Sequence, residues 1–263
     1  MNKELKYKVI IGILFLIIII QAQIIYKLSY KKKPALQPLP IVKAKIAIVL
    51  DDWGYNLNNL EALAEIRQPL TLAILPHLYY SQKIADFARK IDKEIILHLP
   101  LEPKRKNDYL GWEKFTITVD MPEEKIKETL TEALDNLAGI KGVSNHMGSR
   151  ATEDERTMTI IFKELKKRNL YFLDSFVTAG SICRKLANKL SLKFIMRDVF
   201  LDNEKNTDYI KNQLNKLKNI ALKKGQAVGI GHNYPLSLTV LKEEMPKMEK
   251  EGFKFVFLSE LTE

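Results

Sequence analysis

The chain has 263 residues, and 42 Lys and Arg against 32 Asp and Glu give it a formal net charge of +10. Most of this excess lies near the amino terminus, because residues 1–45 hold nine lysines and one acid. Residues 46–263 carry 33 basic and 31 acidic side chains, which excludes a strongly basic domain and argues against nucleic acid as a partner. A single cysteine, Cys183, excludes a disulfide framework and a cysteine-based zinc site.

An apolar run near the amino terminus predicts a membrane anchor over residues 1–30. The run extends from Val9 to Ile20, and further apolar residues continue it to Tyr26. These residues, about 18 at ~1.5 Å rise each, nearly span a ~30 Å hydrocarbon core. No small-residue cleavage site follows, which favours an uncleaved anchor over a signal peptide, and the run lacks the polar face of a buried core helix.

Lysines flank the run on both sides, so charge alone does not fix its orientation. Because only eight residues precede it, we expect the amino terminus to stay in the cytoplasm and the domain to lie outside, in the periplasm. The next segment, residues 31–45, holds three of the ten prolines and predicts a stiff spacer of ~3.1 Å per residue. Residues 46–263 are expected to form one domain.

Short apolar runs alternate with amphipathic stretches from residue 46 onward. This alternation implies parallel strands, and eight such units predict one α/β domain built as a β/α barrel, with an open doubly wound sheet as the alternative. No glycine-rich phosphate loop follows a predicted strand, which argues against a nucleotide site. The predicted strands are 46–50, 70–75, 94–99, 142–145, 170–173, 193–196, 226–230 and 253–258.

Several signals mark the starts of the predicted helices. Asp120 with Glu123 and Thr152 with Glu155 have the spacing of capping boxes. Pro235 suits the first turn of another helix, because a missing N–H costs nothing there.

Polar side chains follow almost every predicted strand, and all four histidines of the chain lie at these strand ends. The carboxyl ends of parallel strands converge on one face of a β/α fold, where sites are built. We therefore expect a polar rim at that face. Its members are Asp51, Asp52, His77, His98, Glu102, His146, Asp174, Arg197, Asp198, Asp202, Asn203 and His232.

Members of this rim also have structural interpretations. Asp51 and Asp52 could cap a helix expected at 56–67, yet consecutive acids that seal an apolar strand repel each other and usually need a cation or a shared proton. Asp174 and Asp198 are alternatively caps or ion-pair partners. A lone histidine at a strand end is more often structural than a ligand, and that role is preferred for His77.

Aromatic residues lie in the same predicted loops. Their ordinary role is packing, but they would also suit a sugar ring. They are Trp53, Tyr55, Tyr109, Trp112 and Tyr234.

One carboxylate with two or three histidines on one rim fits a divalent metal ion such as zinc with an open coordination position. The ion would make water nucleophilic near neutral pH. A second carboxylate would accept the proton, and a further histidine would protonate the leaving group. The joint placement of these residues supports the hypothesis more than any single spacing does.

Seven segments in chain order resemble the divergent polysaccharide deacetylases, distant relatives of metal-dependent carbohydrate esterases that remove N-acetyl groups from chitin-like and peptidoglycan sugars. The segments are VLDDWG, AILP, LHLPLEP, NHMGS, FLDS, RDVFLDN and GIGH, spread over residues 46–260. The resemblance implies a distorted β/α barrel of seven or eight strands, a divalent metal cofactor and an N-acetylated envelope polysaccharide as substrate.

By position, the resemblance implies that Asp51 is the general base and Asp52 a metal ligand. It also implies that His98 is the first metal-binding histidine and His232 the general acid. Asp174 is predicted to orient one of these histidines.

Two departures from the esterases affect the ligand set and the substrate site. Glu102 stands where they usually have a second histidine, and NHMGS replaces their arginine- and proline-containing motif. We therefore predict His146 as the third metal ligand, with Glu102 as the runner-up. The predicted substrate-binding residues are Trp53, Glu102, Arg150 and Asp198.

The leading hypothesis is a membrane-anchored, metal-dependent deacetylase of an envelope polysaccharide. Because the relatives' second histidine is replaced, the alternative is a non-catalytic envelope protein that binds glycan or a partner on the same fold. A third and weaker hypothesis is a glycosidase that uses Asp51 or Asp52 together with Glu102 or Asp174.

Overall fold

The computed structural model describes residues 2–29, 42–105 and 115–262, and the chain divides into two compact units, Met1–Ile41 and Val42–Glu263. The described part of the first unit is a helix, α1 (Lys3–Ser29), whose apolar side chains are exposed. This helix is long and apolar enough to be a candidate membrane span. The predicted spacer falls mostly outside the described residues, and its last two residues, Ala44 and Lys45, belong to the first strand instead.

The described part of the second unit contains nine strands in one sheet, and every pairing is parallel. Buried, apolar strands are typical of parallel sheets covered on both faces. The strands are β1 (Ala44–Trp53), β2 (Thr71–Ile74), β3 (Glu94–Leu101), β4 (Gly142–Met147), β5 (Tyr171–Asp174), β6 (Phe194–Met196), β7 (Val199–Phe200), β8 (Gln226–His232) and β9 (Phe253–Phe255).

The strand order is β6-β5-β4-β3-β2-β1-β8-β7, and β9 pairs with the first residues of β1. Within the described ranges no pairing joins β6 to β7, so the sheet curves as a parallel half-barrel that does not close there. The prediction of a distorted β/α barrel of seven or eight parallel strands is confirmed in this open form. The two-residue strand β7 was not predicted, because it is too short to give a pattern.

Helices connect the strands and cover the outside of the sheet. Pro235 lies in the first turn of its helix, as predicted. The helices are α2 (Leu60–Ala64), α3 (Ser81–Lys90), α4 (Glu123–Asn136), α5 (Glu155–Lys167), α6 (Cys183–Leu190), α7 (Thr207–Lys224) and α8 (Pro235–Lys250).

Neither predicted capping box forms. Helix α5 is capped by Asp154, whose carboxylate accepts a hydrogen bond from Thr157 N–H at 2.7 Å. Thr152 lies in a preceding 3-10 turn and donates its hydroxyl hydrogen to Gly148 O at 2.8 Å, so it is not available as the cap. Asp120 does not cap α4 either, because that helix begins directly after a proline.

Two buried apolar layers hold the second unit together. The outer layer lies between the sheet and the helices, and the inner layer fills the barrel with residues such as Val49 and Ile96. Val256, Leu258 and Leu261, near the end of the chain, complete the inner layer. Every buried apolar side chain of the described residues lies between 44 and 261, so this unit folds around a core of its own.

Candidate metal site

β1 ends in a bulge that carries both adjacent acids. Its register against β2 shifts between Leu50 and Trp53, and Asp52 has a φ of 63°. In a regular strand consecutive side chains point to opposite faces. Here both carboxylates lie near His98, whose Nε2 is 3.7 Å from Asp51 Oδ2 and 3.2 Å from Asp52 Oδ1. Left-handed backbone at a residue other than glycine is strained, and such strain concentrates at functional sites.

Asp52, His98 and His146 bring three donor atoms together from β1, β3 and β4, all within 4.8 Å of one another. His146 Nδ1 lies 3.0 Å from Asp52 Oδ1 and 3.2 Å from His98 Nε2. Two ligands that are each 2.0–2.1 Å from a tetrahedral ion are about 3.3 Å apart. The spacing therefore fits an ion of zinc's size, and one carboxylate with two imidazoles is a normal donor set for it.

Ser144 fixes the orientation of His98. The two residues are paired in register on β4 and β3, and His98 Nδ1 shares a 2.8 Å hydrogen bond with Ser144 Oγ. Both side chains are buried. Because Nδ1 is bonded to Ser144, Nε2 is the nitrogen that faces the two acids. Imidazoles that bind a metal through one ring nitrogen normally hydrogen-bond a neighbouring group through the other.

The pKa values of the two adjacent acids are shifted in opposite directions. Asp51 is 3% exposed, its Oδ1 has no hydrogen-bond partner among the described residues, and burial raises its pKa. Burial also opposes ionisation of Asp52, but hydrogen bonds with His146 and His98 outweigh it and hold its pKa well below the usual range. Neighbouring carboxylates with separated pKa values are typical of an acid–base pair with distinct roles.

A second histidine system lies at the end of β8. His232 pairs in register with Asp51, and its Nδ1 lies 2.7 Å from Asp202 Oδ1. Asp202 Oδ2 also accepts hydrogen bonds from His232 N–H at 2.7 Å and from the Ser237 hydroxyl at 2.5 Å. Burial lowers the pKa of His232, but the bond and the charge of Asp202 outweigh it and raise the pKa to about 9.

Two aromatic rings stack on the His232 imidazole. Phe200 stacks on it with ring centroids 6.0 Å apart, and Tyr234 stacks with centroids 5.4 Å apart. The Phe200 ring, which stacks on the imidazole, is also contacted by the Arg197 guanidinium, 3.7 Å from the ring centroid. Together with Asp202, these contacts leave His232 one orientation.

The structure corrects the prediction for Asp174. Its carboxylate accepts hydrogen bonds from the Ser181 hydroxyl at 2.6 Å and from Phe176 N–H at 2.8 Å. The carboxylate that orients a histidine is instead Asp202, on His232. Asp174 therefore holds the loop after β5 rather than a ring nitrogen.

Asp198 is also not where it was predicted. Its carboxylate accepts hydrogen bonds from Lys224 Nζ at 2.8 Å and from Val228 N–H at 2.9 Å. Val228 precedes His232 by four residues, a separation of about 13 Å along a strand. The chain turns after β6 and brings Asp198 to the first half of β8 rather than beside the histidines, and a substrate contact by Asp198 stays a prediction.

Trp53 cannot act as a sugar platform, because it is 0% exposed and belongs to the outer core. Glu102 is not in the three-ligand group; its carboxylate accepts hydrogen bonds from Val119 N–H at 2.8 Å and from Arg150 at 2.6 Å. Arg150 is 45% exposed. A substrate contact by Arg150 stays a prediction.

Three further residues named from the sequence are His77, Tyr109 and Trp112. His77 is exposed, its N–H donates to Asn136 Oδ1 at 2.9 Å, and its ring stacks on Phe115 with centroids 3.7 Å apart, which are structural contacts. Tyr109 and Trp112 lie outside the described residues.

Three functional contacts were missed in the sequence. Ser144 is two residues before His146 on the same strand, and the period of two could have placed both side chains on one face. Asp202 is the second acid of RDVFLDN, and nothing in that segment distinguishes it from the first. Ser237 lies in a helix turn and gives no signal at all.

The comparisons with known proteins agree with this architecture. The model of the divergent polysaccharide deacetylase family matches residues 48–262, so the chain belongs to that family. It is 31% identical over 204 residues to the protein YibQ of Escherichia coli (strain K12), covering 78% of this chain and 63% of that relative. The chain thus spans less than two thirds of that relative's length.

Two solved structures share the fold. A crystal structure from Agrobacterium tumefaciens C58 superposes with a TM-score of 0.79 at 23% identity, covering 86% of this chain and 92% of that one. A mutant of a CE4 family pseudoenzyme with restored enzymatic activity gives a TM-score of 0.52 at 15% identity, covering 86% and 72% of the two chains. The half-barrel of this chain is therefore like the fold of that CE4 family protein.

Proposed function

We propose that the protein is a membrane-anchored, metal-dependent hydrolase that removes N-acetyl groups from an envelope polysaccharide. The observation that carries the proposal is the convergence of Asp52, His98 and His146 at the spacing of tetrahedral ligands, directly beside the buried Asp51, whose Oδ1 has no hydrogen-bond partner among the described residues. Membership of the deacetylase family supports this reaction class.

The carboxylate oxygen of Asp52 and the imidazole nitrogens of His98 and His146 are the proposed ligands of one divalent ion, zinc by the chemistry of the donor set. When bound, such an ion lowers the pKa of water and polarises a carbonyl group. Ser144 keeps His98 Nε2 directed at the ion's position, because it occupies the other ring nitrogen.

Asp51 and His232 handle the protons of the reaction. Asp51 accepts the proton of the water that attacks the acetamide carbonyl, and burial makes it a stronger base than an exposed aspartate. His232 donates the Nε2 proton to the sugar nitrogen as the C–N bond breaks, which yields acetate and a free amine. Asp202 keeps Nδ1 protonated and the ring in place throughout.

Helix α1 supports attachment of the protein to a membrane. The proposed arrangement is an uncleaved anchor with the domain in the periplasm, where envelope polysaccharide is found. An N-acetylated, peptidoglycan-like glycan is the proposed substrate.

The test is acetate release from N-acetylglucosamine oligomers by residues 42–263, with and without added zinc. We expect release only with metal, and a 10²- to 10⁴-fold loss in Asp51→Asn with metal binding retained. Asp92→Asn, an exposed acid at the other end of the barrel, is the matched control and should be fully active. If Asp51→Asn is as active as the parent, the base assignment is wrong. If the metal-loaded domain binds the glycan but releases no acetate, the non-catalytic alternative is supported.

A further inference from the structure

The amino end of the barrel carries a set of exposed cations. They lie in or directly before the strands β1, β4, β6 and β9 or, for Arg67, four residues before β2, and the described residues give none of their side chains an ion pair or hydrogen bond. We refer to them as the amino-end cations. They are Lys43, Lys45, Arg67, Lys141, Lys193 and Lys254.

Helix dipoles do not account for the amino-end cations. Lysines are common in the last turn of a helix because they favour its negative end, but none of these six residues is helical. The exposed acids near them do not cancel their charge. Glu251 is neutralised by Lys218 at 2.8 Å, whereas Asp92, Glu249 and Glu260 are exposed acids that keep their charge, so six cations face three acids.

The opposite end of the barrel has the opposite character. Acids predominate in the described loops that follow the strands, and two of the cations there are neutralised, Arg150 by Glu102 and Lys104 by Glu153. β1 has ten residues, which corresponds to about 33 Å between the two ends. Because all strands are parallel, this distance separates a cationic face from an anionic rim.

The chain joins the second unit on the cationic face. Lys43 N–H donates to Gly252 O at 2.9 Å, and Lys45 N–H donates to Gly225 O at 2.9 Å, which fixes the entry of the chain among the amino-end cations. The candidate membrane span ends only a short segment upstream, at Lys27. A basic surface beside the point of attachment to a membrane anchor fits the negative headgroups of that membrane.

We propose that the amino-end face of the barrel docks on anionic lipid headgroups. Docking through this face turns the histidine rim away from the bilayer. The attraction is electrostatic, it extends over about a Debye length, and it weakens with salt.

The experiment measures binding of residues 42–263, which have a complete core, to vesicles in a sedimentation assay. Vesicles of phosphatidylcholine alone are compared with vesicles containing one third phosphatidylglycerol. We expect binding only to the second kind, reversed by ~0.5 M salt. Each surface lysine contributes about fivefold to partitioning, so the triple variant Lys43→Gln, Lys141→Gln, Lys254→Gln should bind about 100-fold more weakly.

The control removes the same charge elsewhere. Lys83, Lys163 and Lys216 are exposed and lie in the helices α3, α5 and α7, away from the amino-end face. Their replacement by Gln should weaken vesicle binding less than about threefold. Equal losses in the two triple variants would mean that only net charge matters, and the docking face would be wrong.

Two other results would also overturn the proposal. One is equal binding to both kinds of vesicle. The other is vesicle binding that ~0.5 M salt does not reverse, which would rule out an electrostatic contact with the headgroups. The assay contains no metal and no glycan, so its outcome is independent of the proposed hydrolase activity.

Discussion

Glu94 and Asp51 are both buried carboxylates inside the second unit, one at the amino end of β3 and the other near the carboxyl end of β1. Glu94 Oε1 accepts hydrogen bonds from the Tyr171 hydroxyl at 2.9 Å, the Thr71 hydroxyl at 3.0 Å and Ser259 N–H at 3.2 Å. Asp51 Oδ1 has no such bond within the described part of the chain.

The difference separates a structural acid from a functional one. Buried polar groups are normally bonded, and Glu94 follows this rule by tying the end of the chain to β2 and β5. Asp51 departs from it beside a strained residue and three histidines, so its burial costs stability that only binding or chemistry could offset. Four predictions test this contrast between the two ends of the barrel.

The largest effect is expected on metal affinity. Asp52→Ala removes one of the three proposed ligands and should weaken zinc binding by more than about 100-fold, since even loss of an outer partner costs 10–100-fold. Glu94→Gln, at the other end of the barrel, should bind zinc as the parent does. Competition with a chromogenic chelator measures the zinc affinity of both variants. If Asp52→Ala binds zinc as tightly as the parent, the proposed metal site at the carboxyl end of the barrel is wrong.

The carboxyl end should also be the pH-sensitive end. The pKa of His232 is raised to about 9 by Asp202, so the pair stabilises the fold fully below pH ~6.5 and loses that contribution as pH rises through 9. The shift corresponds to at most about 3 kcal/mol. In metal-free protein, the free energy of unfolding of the parent should exceed that of Asp202→Asn most near pH 6, and the difference should shrink toward pH 10. A difference that does not vary with pH would contradict the pairing.

Neutral replacements of the two buried acids should have opposite effects on stability. Glu94→Gln breaks a satisfied network and should destabilise by about 1–3 kcal/mol, whereas Asp51→Asn removes a buried acid whose Oδ1 has no hydrogen bond and should raise the free energy of unfolding slightly. Urea denaturation of the metal-free protein at pH 7 measures both. Destabilisation of the same size in both variants would show that Asp51 stabilises the fold as Glu94 does, and the distinction between the two acids would be wrong.

The smallest effect is expected at Ser144. Ser144→Ala frees His98 Nδ1 and should weaken zinc binding by about tenfold, at the low end for an outer partner. Ser144→Thr keeps a hydroxyl and should restore part of the affinity. Because Ser144 is buried, thermal melting of both variants shows whether a loss of binding comes from a loss of folding.

The positions of the main site residues are predictable because parallel strands all end on one side. That rule is sufficient to place Asp51, Asp52, His98, His146 and His232 on a common rim. The half-barrel is predictable for the same reason, since alternating apolar strands and amphipathic helices leave few other arrangements.

The wrong predictions come from local geometry that the alternation of side chains along a regular strand does not reveal. Trp53 is one residue past the bulge, so whether it faces the rim or the core depends on a local register shift. Asp198 and Asp202 contact different parts of β8. Asp198 bonds to Val228 in the first half of the strand, whereas Asp202 bonds to His232 at its carboxyl end. Side-chain partners separated by 30 residues, such as Asp202 and His232, leave no trace in a single sequence.

The pairing of β1 with β9 has a consequence for how the chain folds. Ala44 lies opposite Phe253, so the first strand of the domain completes its hydrogen bonds only with residues made more than 200 positions later. Val256, Leu258 and Leu261 then close the inner core from the last turn of the chain. Contacts this distant slow folding, and they keep a nascent domain incomplete until residues 253–261 have been made. A chain that stops short of residue 256 would leave the inside of the barrel open, so translation to the final turn is a condition for an intact half-barrel.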